Sequence, residues 1–463
     1  MAEIGERLFG TDGIRGIPGR YPLTDGMVFK IGCGIARFLY CTCKRSPLKV
    51  VIGKDTRLSG QRIESILTNA IASYGIDVVS VGIVPTPALA FLVEKYSAGM
   101  GIMISASHNK PTDNGIKFFR EEGIKLSSQE EEWIEQLIMG GLIYTSNGIT
   151  PSKRGYVVEE KRMISSYINF LKSTLESTEI DGLKIVLDCA WGATSVVAKK
   201  LFKSLKVKVL SLNDLPDGKR INAGGALNPA FLKKVIIDND ADVGFAFDGD
   251  GDRLIVVDEK GNVLDGDYIM AIMSIYLLNK KRLSKNTLVT TVMSNYGLTL
   301  AMEKVGVNVI QTKVGDKFIL ERLIKEKVNF GGEQSGHIIF LDYLPTPDGI
   351  LTALQLLKVM KETAKPLSIL SKVMYKLPQV LVNVRVREKI PFERIPAINQ
   401  AITQAESQLN SRGRVLLRYS GTESLARIMV EADSYELVKE VAHNLAEVVK
   451  REIGIGDWSS SYA

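Results

Sequence analysis

Residues 50–82, VVIGKDTRLSGQRIESILTNAIASYGIDVVSVG, contain the alternation of strand and helix that decides the fold. The first four residues are apolar and predict a buried strand, which ends in a polar turn. Ser59 is placed to cap a helix that runs to about Tyr74, and residues 77–82 predict a second strand. Another helix and a third strand from Met100 follow. Strands that alternate with helices in this way predict a parallel sheet with covering helices.

The same alternation returns twice further along the chain, in residues 184–258 and 267–327, and a smaller α+β pattern follows Pro378. The predicted fold class is therefore α/β, with three consecutive α/β domains that have mixed sheets and a smaller C-terminal α+β domain. Residues 457–463 are expected to be frayed. The predicted domains are residues 1–152, 153–258, 259–372 and 373–463.

The composition is that of a globular protein without concentrated charge. Of 463 residues, 45% are apolar and 24% are charged, values typical of a chain that buries large cores. The net charge of +7 is small for this length, and no basic run exceeds the three residues from Lys280 to Arg282. Nucleic-acid-binding proteins concentrate their charge, so we expect no nucleic-acid partner and anionic small-molecule substrates instead.

The remaining sequence features predict a cytoplasmic protein. The four cysteines are few and lack a metal or redox spacing, so free thiols are expected. The N-terminus lacks the apolar core of a signal peptide. No apolar run approaches the roughly 20 residues of a membrane span, so no membrane partner is expected.

A loop with reactive side chains follows the strand that starts at Met100. It contains Ser107 and His108, and Lys117 lies on the next apolar run. A hydroxyl, an imidazole and an ammonium group thus follow the end of a strand, where α/β proteins usually place reactive groups. Because a serine hydroxyl is a weak nucleophile without help, the loop alone fits an ordinary polar turn better than a catalytic one.

The sequence Asp248-Gly-Asp250-Gly-Asp252 is the sharpest local signal. Three carboxylates this close repel one another, which predicts a bound cation. Oxygen ligands without His or Cys favour magnesium over zinc. A calcium-binding EF-hand loop is rejected because Arg253 stands where that loop needs Gly and the flanks predict strands. A solvated acidic turn is the alternative.

Three further motifs are weaker when each is taken alone. The glycine-rich FGTDGIRG at residues 9–16 contains Arg15, whose guanidinium suits phosphate. Glu333, Ser335 and His337 alternate along a strand-like stretch that suits sugar hydroxyls, although a capped turn fits equally well. RYSGTE at residues 418–423 predicts an anion cradle or, alternatively, a tight hairpin turn. In combination, the motifs indicate phosphoryl transfer on a phosphosugar.

With these stretches in view, the chain resembles the α-D-phosphohexomutases. The resemblance covers essentially the whole chain and implies four domains around a central cleft that holds the active site. FGTDGIRG and GGEQSGH favour the branch that acts on glucosamine phosphates. The matching stretches, in the family's order, are FGTDGIRG, KDTRLSG, VPTPA, SASHN with DNGIKFF, DGDGDR, GGEQSGH and RYSGTE.

The resemblance also implies roles for individual residues. Ser107 matches the phosphoserine, and one of its phosphate oxygens is expected to join three aspartates around Mg²⁺. Lys117 and His108 are alternatives for moving the proton. The matched residues are Asp248, Asp250 and Asp252 for the metal; Arg15, His108 and Lys117 around the phosphate; Glu333, Ser335 and His337 for the sugar; and Arg418, Ser420, Gly421, Thr422 and Arg427 for the non-reacting phosphate.

The expected reaction interconverts glucosamine 6-phosphate and glucosamine 1-phosphate through phospho-Ser107 and a sugar 1,6-bisphosphate, and it feeds UDP-N-acetylglucosamine synthesis. The alternative is a phosphomannomutase or phosphoglucomutase reaction of the same superfamily. A non-catalytic phosphosugar-binding protein is the alternative from another class, and the presence of Ser107, the three aspartates and Lys117 argues against it. A homodimer is left open. The chain departs from the family pattern at Lys110, Tyr419 and Ser424, none of which is a reacting group.

Overall fold

The computed structural model describes residues 7–10, 12–44, 46–140, 153–410, 412–420 and 423–462. The chain divides into two compact units, a larger one of Met1–Met293 and Val307–Lys372 and a smaller one of Ser294–Gly306 and Val373–Ala463. Among the described helices, none is long and apolar enough to cross a membrane. The four domain boundaries expected from the sequence stay predictions.

The first sheet of the larger unit has six strands. The strands that helices connect pair in parallel, as the sequence predicts. By contrast, the strands Met100–Ile104 and Asn114–Arg120 are connected by a loop and pair antiparallel. The sheet is therefore mixed, in the order β1-β5-β4-β2-β3-β6. The elements are β1 (Ile14–Gly16), α1 (Asp25–Thr42), β2 (Lys49–Lys54), α2 (Gly60–Ser73), β3 (Asp77–Ile83), α3 (Thr86–Lys95), β4 (Met100–Ile104), β5 (Asn114–Arg120), α4 (Ser128–Met139) and β6 (Val157–Glu159).

Side-chain caps begin two of these helices, α1 and α4. The Thr24 hydroxyl accepts a hydrogen bond from the backbone N–H of Met27 at the start of α1. The prediction that Ser59 caps α2 is wrong, because Ser59 already has helical backbone angles rather than the extended ones of a cap. Its hydroxyl accepts a 2.8 Å hydrogen bond from Asn114 Nδ2 instead.

The second and third sheets repeat the mixed pattern. The second sheet has the strand order β11-β10-β9-β7-β8, and the third has the strand order β13-β12-β14-β15. Helix α9 belongs to the smaller unit. The elements are α5 (Ile164–Ser173), β7 (Lys184–Asp188), α6 (Ala198–Ser204), β8 (Lys208–Leu212), α7 (Ala230–Asp238), β9 (Val243–Phe247), β10 (Leu254–Asp258), β11 (Val263–Leu264), α8 (Gly266–Asn279), β12 (Thr287–Thr291), α9 (Tyr296–Lys304), β13 (Asn308–Thr312), α10 (Asp316–Glu326), β14 (Phe330–Gly332), β15 (Ile338–Phe340), α11 (Gly349–Thr363) and α12 (Leu367–Leu370).

The smaller unit contains an antiparallel sheet in the order β17-β18-β16-β19. Its core includes Val438, Val441 and Leu445 of the last helix. The α/β fold with a smaller α+β part is thereby confirmed. The expectation of a frayed C-terminus is wrong, because Ser459–Tyr462 forms the edge strand. The elements are β16 (Gln379–Arg385), α13 (Pro396–Gln408), β17 (Arg414–Tyr419), β18 (Leu425–Glu431), α14 (Tyr435–Ile453) and β19 (Ser459–Tyr462).

Candidate active site

Ser107 lies in the loop that joins β4 to β5, and it is only 1% exposed. Its φ of +50° is in the left-handed region, which is uncommon for a residue with a side chain. The Ser107 hydroxyl donates a 2.8 Å hydrogen bond to Asp248 Oδ2. His108 Nδ1 lies 3.3 Å from the same hydroxyl oxygen. The predicted nucleophile is therefore in contact with the predicted metal loop.

The guanidinium of Arg57 holds this loop in place. Its Nη2 donates to the carbonyl oxygens of Ser107 at 2.8 Å and Asn109 at 2.9 Å. Its Nη1 donates to the carbonyl of Asp113 at 2.8 Å and to that of Lys110. Because the Arg57 side chain is fully buried, these charge-assisted bonds face no competition from water. One arginine thus fixes both sides of the loop that carries Ser107.

Three other residues complete this support. Asp55 Oδ2 accepts hydrogen bonds from Arg57 Nε at 2.9 Å and from the Ser105 hydroxyl at 2.7 Å. The Ser105 hydroxyl in turn accepts from the backbone N–H of Ser107 at 2.8 Å. Burial raises the pKa of Asp55 to about 6, although the charge of Arg57 opposes this. From the loop before α7, Asn222 Nδ2 donates to the Ser107 carbonyl at 2.8 Å.

Sequence reasoning assigned no role to Arg57, Asp55 or Asn222. The first two lie directly after β2, the parallel neighbour of β4, so their position at the carboxyl end of the sheet was an available signal. Nothing in the sequence around Asn222 indicates its contact, which joins two parts of the chain 115 positions apart.

The three predicted metal-binding carboxylates lie in the turn between β9 and β10. Asp248, Asp250 and Asp252 are each at most 2% exposed, and one carboxylate oxygen from each lies within 4.8 Å of the other two. Burial, and then the charges of Asp252 and Asp250, raise the pKa of Asp248 well above its ordinary value. Crowded buried carboxylates of this kind are destabilising unless a cation neutralises them.

An orphaned oxygen supports the same conclusion. Asp250 Oδ1 is buried and has no hydrogen-bond partner in the described part of the chain. A buried carboxylate oxygen without a donor is unfavourable, and a metal ion would supply the missing interaction. Since the donor set consists of oxygen alone, the residues fit a hard divalent cation.

Lys117, on β5, is a buried cation beside these carboxylates. Its Nζ donates to Asp250 Oδ2 at 2.8 Å and to Asp252 Oδ2 at 3.1 Å, and it lies 3.1 Å from Asp12 Oδ2. Burial lowers the pKa of Lys117, but the three carboxylates outweigh burial and hold the pKa well above its ordinary value. An ammonium group in a site closed to water can stabilise charge on a transferring phosphoryl group.

Arg15 and His108 contact the Ser107 loop. Arg15 Nη1 donates a 3.2 Å hydrogen bond to Asn109 Oδ1, while its Nε is buried without a partner among the described residues. Burial lowers the pKa of His108 to about 4, and the charges of Arg253 and Arg15 add to this. His108 is therefore a neutral imidazole beside the serine hydroxyl at neutral pH.

Glu333, Ser335 and His337 meet, but not on a strand. They occupy a turn between β14 and β15, so the predicted strand-like stretch is wrong, while their role toward a sugar stays a prediction. Glu333 Oε2 accepts from the Ser335 hydroxyl at 3.1 Å and lies 2.9 Å from His337 Nδ1. His337 Nε2 lies 3.0 Å from Asp252 Oδ1. The predicted sugar loop is thus joined directly to the metal loop.

The charges in this turn stabilise one another. Burial lowers the pKa of His337, but Asp252 and the hydrogen bonds to Asp252 and Glu333 raise it to about 10, against the opposing charge of Arg253. Burial raises the pKa of Glu333, yet the hydrogen bond and charge of His337 bring it down to about 2. The His337 imidazolium is therefore held between the carboxylates of Glu333 and Asp252, and both of its ring nitrogens have partners.

The remaining predicted residues belong to the smaller unit. Arg418 and Arg427 stand opposite each other on β17 and β18, and burial followed by the charge of Arg427 lowers the pKa of Arg418. Two adjacent cations at the end of a hairpin suit an anion. The Ser420 carbonyl accepts a 2.7 Å hydrogen bond from Lys389 Nζ. Gly421 and Thr422 lie outside the described residues.

Comparisons with known proteins agree along the whole chain. Four family models match in order: phosphoglucomutase/phosphomannomutase alpha/beta/alpha domain I at residues 6–141, domain II at residues 165–261, domain III at residues 265–377, and the C-terminal domain at residues 381–448.

Individual relatives cover nearly all of the chain. It is 48% identical to the phosphoglucosamine mutase of Pelobacter propionicus, over 97% of this chain and 99% of that protein. It is 46% identical to the phosphoglucosamine mutase of a Thermoanaerobacter species, over 96% of this chain and 99% of that protein. A solved phosphoglucomutase/phosphomannomutase family protein from Burkholderia thailandensis has a TM-score of 0.80 and 22% identity, covering 98% of this chain and 100% of that one.

Proposed function

Because this chain belongs to the phosphoglucomutase/phosphomannomutase family, we propose that it catalyses the phosphoglucosamine mutase reaction, the interconversion of glucosamine 6-phosphate and glucosamine 1-phosphate. The observation that carries the proposal is the 2.8 Å hydrogen bond from the Ser107 hydroxyl to Asp248, beside the buried Lys117. It joins a nucleophile, a metal-binding set and a cation in one site. The choice of amino sugar follows from the relatives of 46–48% identity.

In the proposed reaction, the phosphoryl group starts on Ser107. The free hydroxyl oxygen of the substrate forms a bond to phosphorus as the bond from phosphorus to Ser107 Oγ breaks, and the hydroxyl proton leaves to a base. The product is a sugar 1,6-bisphosphate. Transfer of its other phosphoryl group back to Ser107 releases the isomeric monophosphate and restores the enzyme. No phosphoryl group is gained or lost over the cycle.

The chain's own residues supply the electrostatic part of catalysis. Asp248, Asp250 and Asp252 would hold Mg²⁺, which supplies charge neutralisation to the transferring phosphoryl group. Lys117 and Arg15 add positive charge close to Ser107. His108 and Lys117 are the candidates for moving the proton, and His108 is the one whose ring nitrogen lies 3.3 Å from the serine oxygen.

Substrate binding is proposed for two polar loops. Glu333, Ser335 and His337 offer acceptor and donor groups suited to sugar hydroxyl and amino groups. For the non-reacting phosphate we propose the loop of the smaller unit, formed by Arg418, Ser420, Gly421, Thr422 and Arg427. The glucosamine 1-phosphate formed would be consumed in UDP-N-acetylglucosamine synthesis.

The test is a comparison of mutase turnover on glucosamine 6-phosphate, glucose 6-phosphate and mannose 6-phosphate. Each assay contains magnesium and a catalytic amount of the matching sugar 1,6-bisphosphate. We expect strong preference for the amino sugar and no turnover by Ser107→Ala, with unchanged thermal unfolding. Preference for glucose or mannose would contradict the substrate assignment, and near-normal turnover by Ser107→Ala would contradict the mechanism.

A further inference from the structure

Asp12 is a carboxylate shared by three cations, and sequence reasoning assigned it no role. Its Oδ2 forms an ion pair with Arg15 and lies 3.1 Å from Lys117 Nζ. Its Oδ1 accepts a 2.6 Å hydrogen bond from Lys125 Nζ. The two oxygens therefore have separate partners: one faces the two cations proposed to act on the phosphoryl group, and the other faces a lysine outside that site.

The position of Asp12 meets an electrostatic need. Arg15 and Lys117 must stay close together before a phosphate arrives, and like charges repel strongly where water is scarce. Asp250 and Asp252 also contact Lys117, but their charge is required for the proposed metal. Asp12 does not belong to that acidic cluster. It is therefore the carboxylate that stays available to hold Lys117 when a metal is bound.

Lys125 and Asp316 fix the orientation of Asp12. Lys125 Nζ donates to Asp316 Oδ2 at 2.7 Å and Oδ1 at 2.9 Å, as well as to Asp12. The side chains of Lys125 and Asp316 are 13% and 9% exposed, so these contacts are little screened by water. Asp316 begins α10, which places its side chain on a rigid element. Lys125, itself held by Asp316, thus fixes Oδ1 of Asp12 while Oδ2 contacts Arg15 and Lys117.

We propose that Asp12 is a positioning residue: it holds Arg15 and Lys117 side by side for phosphoryl transfer and is itself oriented by Lys125 and Asp316. This inference rests on the proposed function. A misplacement of about 1 Å in a catalytic group costs on the order of 100-fold in rate, so loss of Asp12 should act mainly on kcat. Binding of the sugar by Glu333 and His337 does not use Asp12, so KM should change little.

The experiment measures kcat and KM for glucosamine 6-phosphate, together with thermal unfolding, in wild type, Asp12→Asn, Asp12→Glu and Asp316→Asn. We expect Asp12→Asn to lower kcat about 100-fold with KM within about threefold of wild type. Asp12→Glu keeps the charge and moves it by one methylene group, so its kcat should fall at least about tenfold. Asp316→Asn leaves the contacts of Asp12 with Arg15 and Lys117 intact and should lose less than about tenfold.

Three outcomes would overturn the inference. The first is a near-normal kcat in Asp12→Asn. The second is an equal decrease of kcat in Asp12→Asn and Asp316→Asn, which a merely structural ion-pair bridge would give. The third is a change of KM in Asp12→Asn without a decrease of kcat. If Asp12→Asn does not fold, normal kcat in Asp12→Glu overturns the inference instead. Wild-type turnover in the same assay separates this result from the proposed function, because failure of wild type on every sugar phosphate would count against the function itself.

Discussion

Replacing Arg57 by methionine should release the loop that carries Ser107 without touching any group proposed to react. Arg57 is buried, donates to four carbonyl groups of this loop and pairs with Asp55 at 2.9 Å. Methionine is unbranched and apolar but shorter than arginine, so the change removes the charge and the donors while it keeps the packing of the inner part of the side chain.

The expected loss of stability can be worked out from these contacts. Removing one partner of a buried ion pair costs about 3–5 kcal/mol because the other charge stays buried alone. The Ser107 carbonyl keeps its hydrogen bond from Asn222 Nδ2, which limits the additional loss from the carbonyl groups. We therefore expect the free energy of unfolding of the larger unit to fall by about 3–5 kcal/mol, with most of the loss due to Asp55.

The double variant Asp55→Asn/Arg57→Met separates the two effects. It removes the unpaired carboxylate, so stability should recover by at least about 2 kcal/mol relative to Arg57→Met. Turnover should stay low, by about 100-fold, because Ser107 is still not held in its left-handed conformation. Arg57→Lys is the matched control that keeps the charge but not the forked donor set, and it should have intermediate turnover.

The measurements are unfolding in urea and steady-state mutase turnover on glucosamine 6-phosphate. The reasoning is refuted if the double variant recovers both stability and turnover, since Arg57 would then serve only to neutralise Asp55. It is also refuted if Arg57→Met keeps wild-type turnover, because the loop would then hold its shape without the arginine.

Two further predictions concern the metal site and the pH dependence of stability. Asp250→Asn replaces a charged ligand by a neutral one, so the Mg²⁺ concentration for half-maximal turnover should rise by at least about tenfold; a magnesium titration with an unchanged midpoint would contradict the ligand assignment. Asp348, which caps α11 and accepts a 2.6 Å hydrogen bond from Tyr167, has a pKa raised to about 6 by burial. The folded protein therefore favours the protonated form of Asp348. The stabilisation that this protonation provides is fully present below about pH 4 and is lost as the pH rises through 6. The free energy of unfolding of Asp348→Asn minus that of wild type should therefore increase by about 2–3 kcal/mol from pH 4 to pH 7. A difference that does not change with pH would contradict this.

The sequence predicted the fold because strand and helix periodicities are local properties. The apolar runs of β2 and β4 are each visible within a few residues, and both agree with the structure. The edge strand Ser459–Tyr462 was missed because its stretch has the polar composition of a terminal tail. Its order comes from backbone pairing with β16, which no side-chain pattern records.

The candidate site was predictable to the extent that its chemistry is carried by the residue types themselves. Three aspartates in five residues predict a bound cation because they repel one another, and the structure buries them and brings Ser107 to them. By contrast, the position of Glu333, Ser335 and His337 was predicted on the wrong element. Side chains two positions apart can meet on one face of a strand, and they can also meet inside a tight turn, so the spacing does not distinguish the two. Gly336, with a φ of +96°, permits the turn.

Groups that position the reacting residues were the hardest to predict, and the reason is physical. A nucleophile or a metal ligand needs a particular functional group, whereas Arg57, Asn222 and Asp12 need only a donor or a charge at the right place. Many residue types supply such groups, and their partners are distant: Asn222 and Ser107 are 115 positions apart, and Lys125 and Asp316 are 191 positions apart. Their role is therefore a property of the assembled sheets, and it becomes visible only when the ends of β2, β4 and β9 lie side by side.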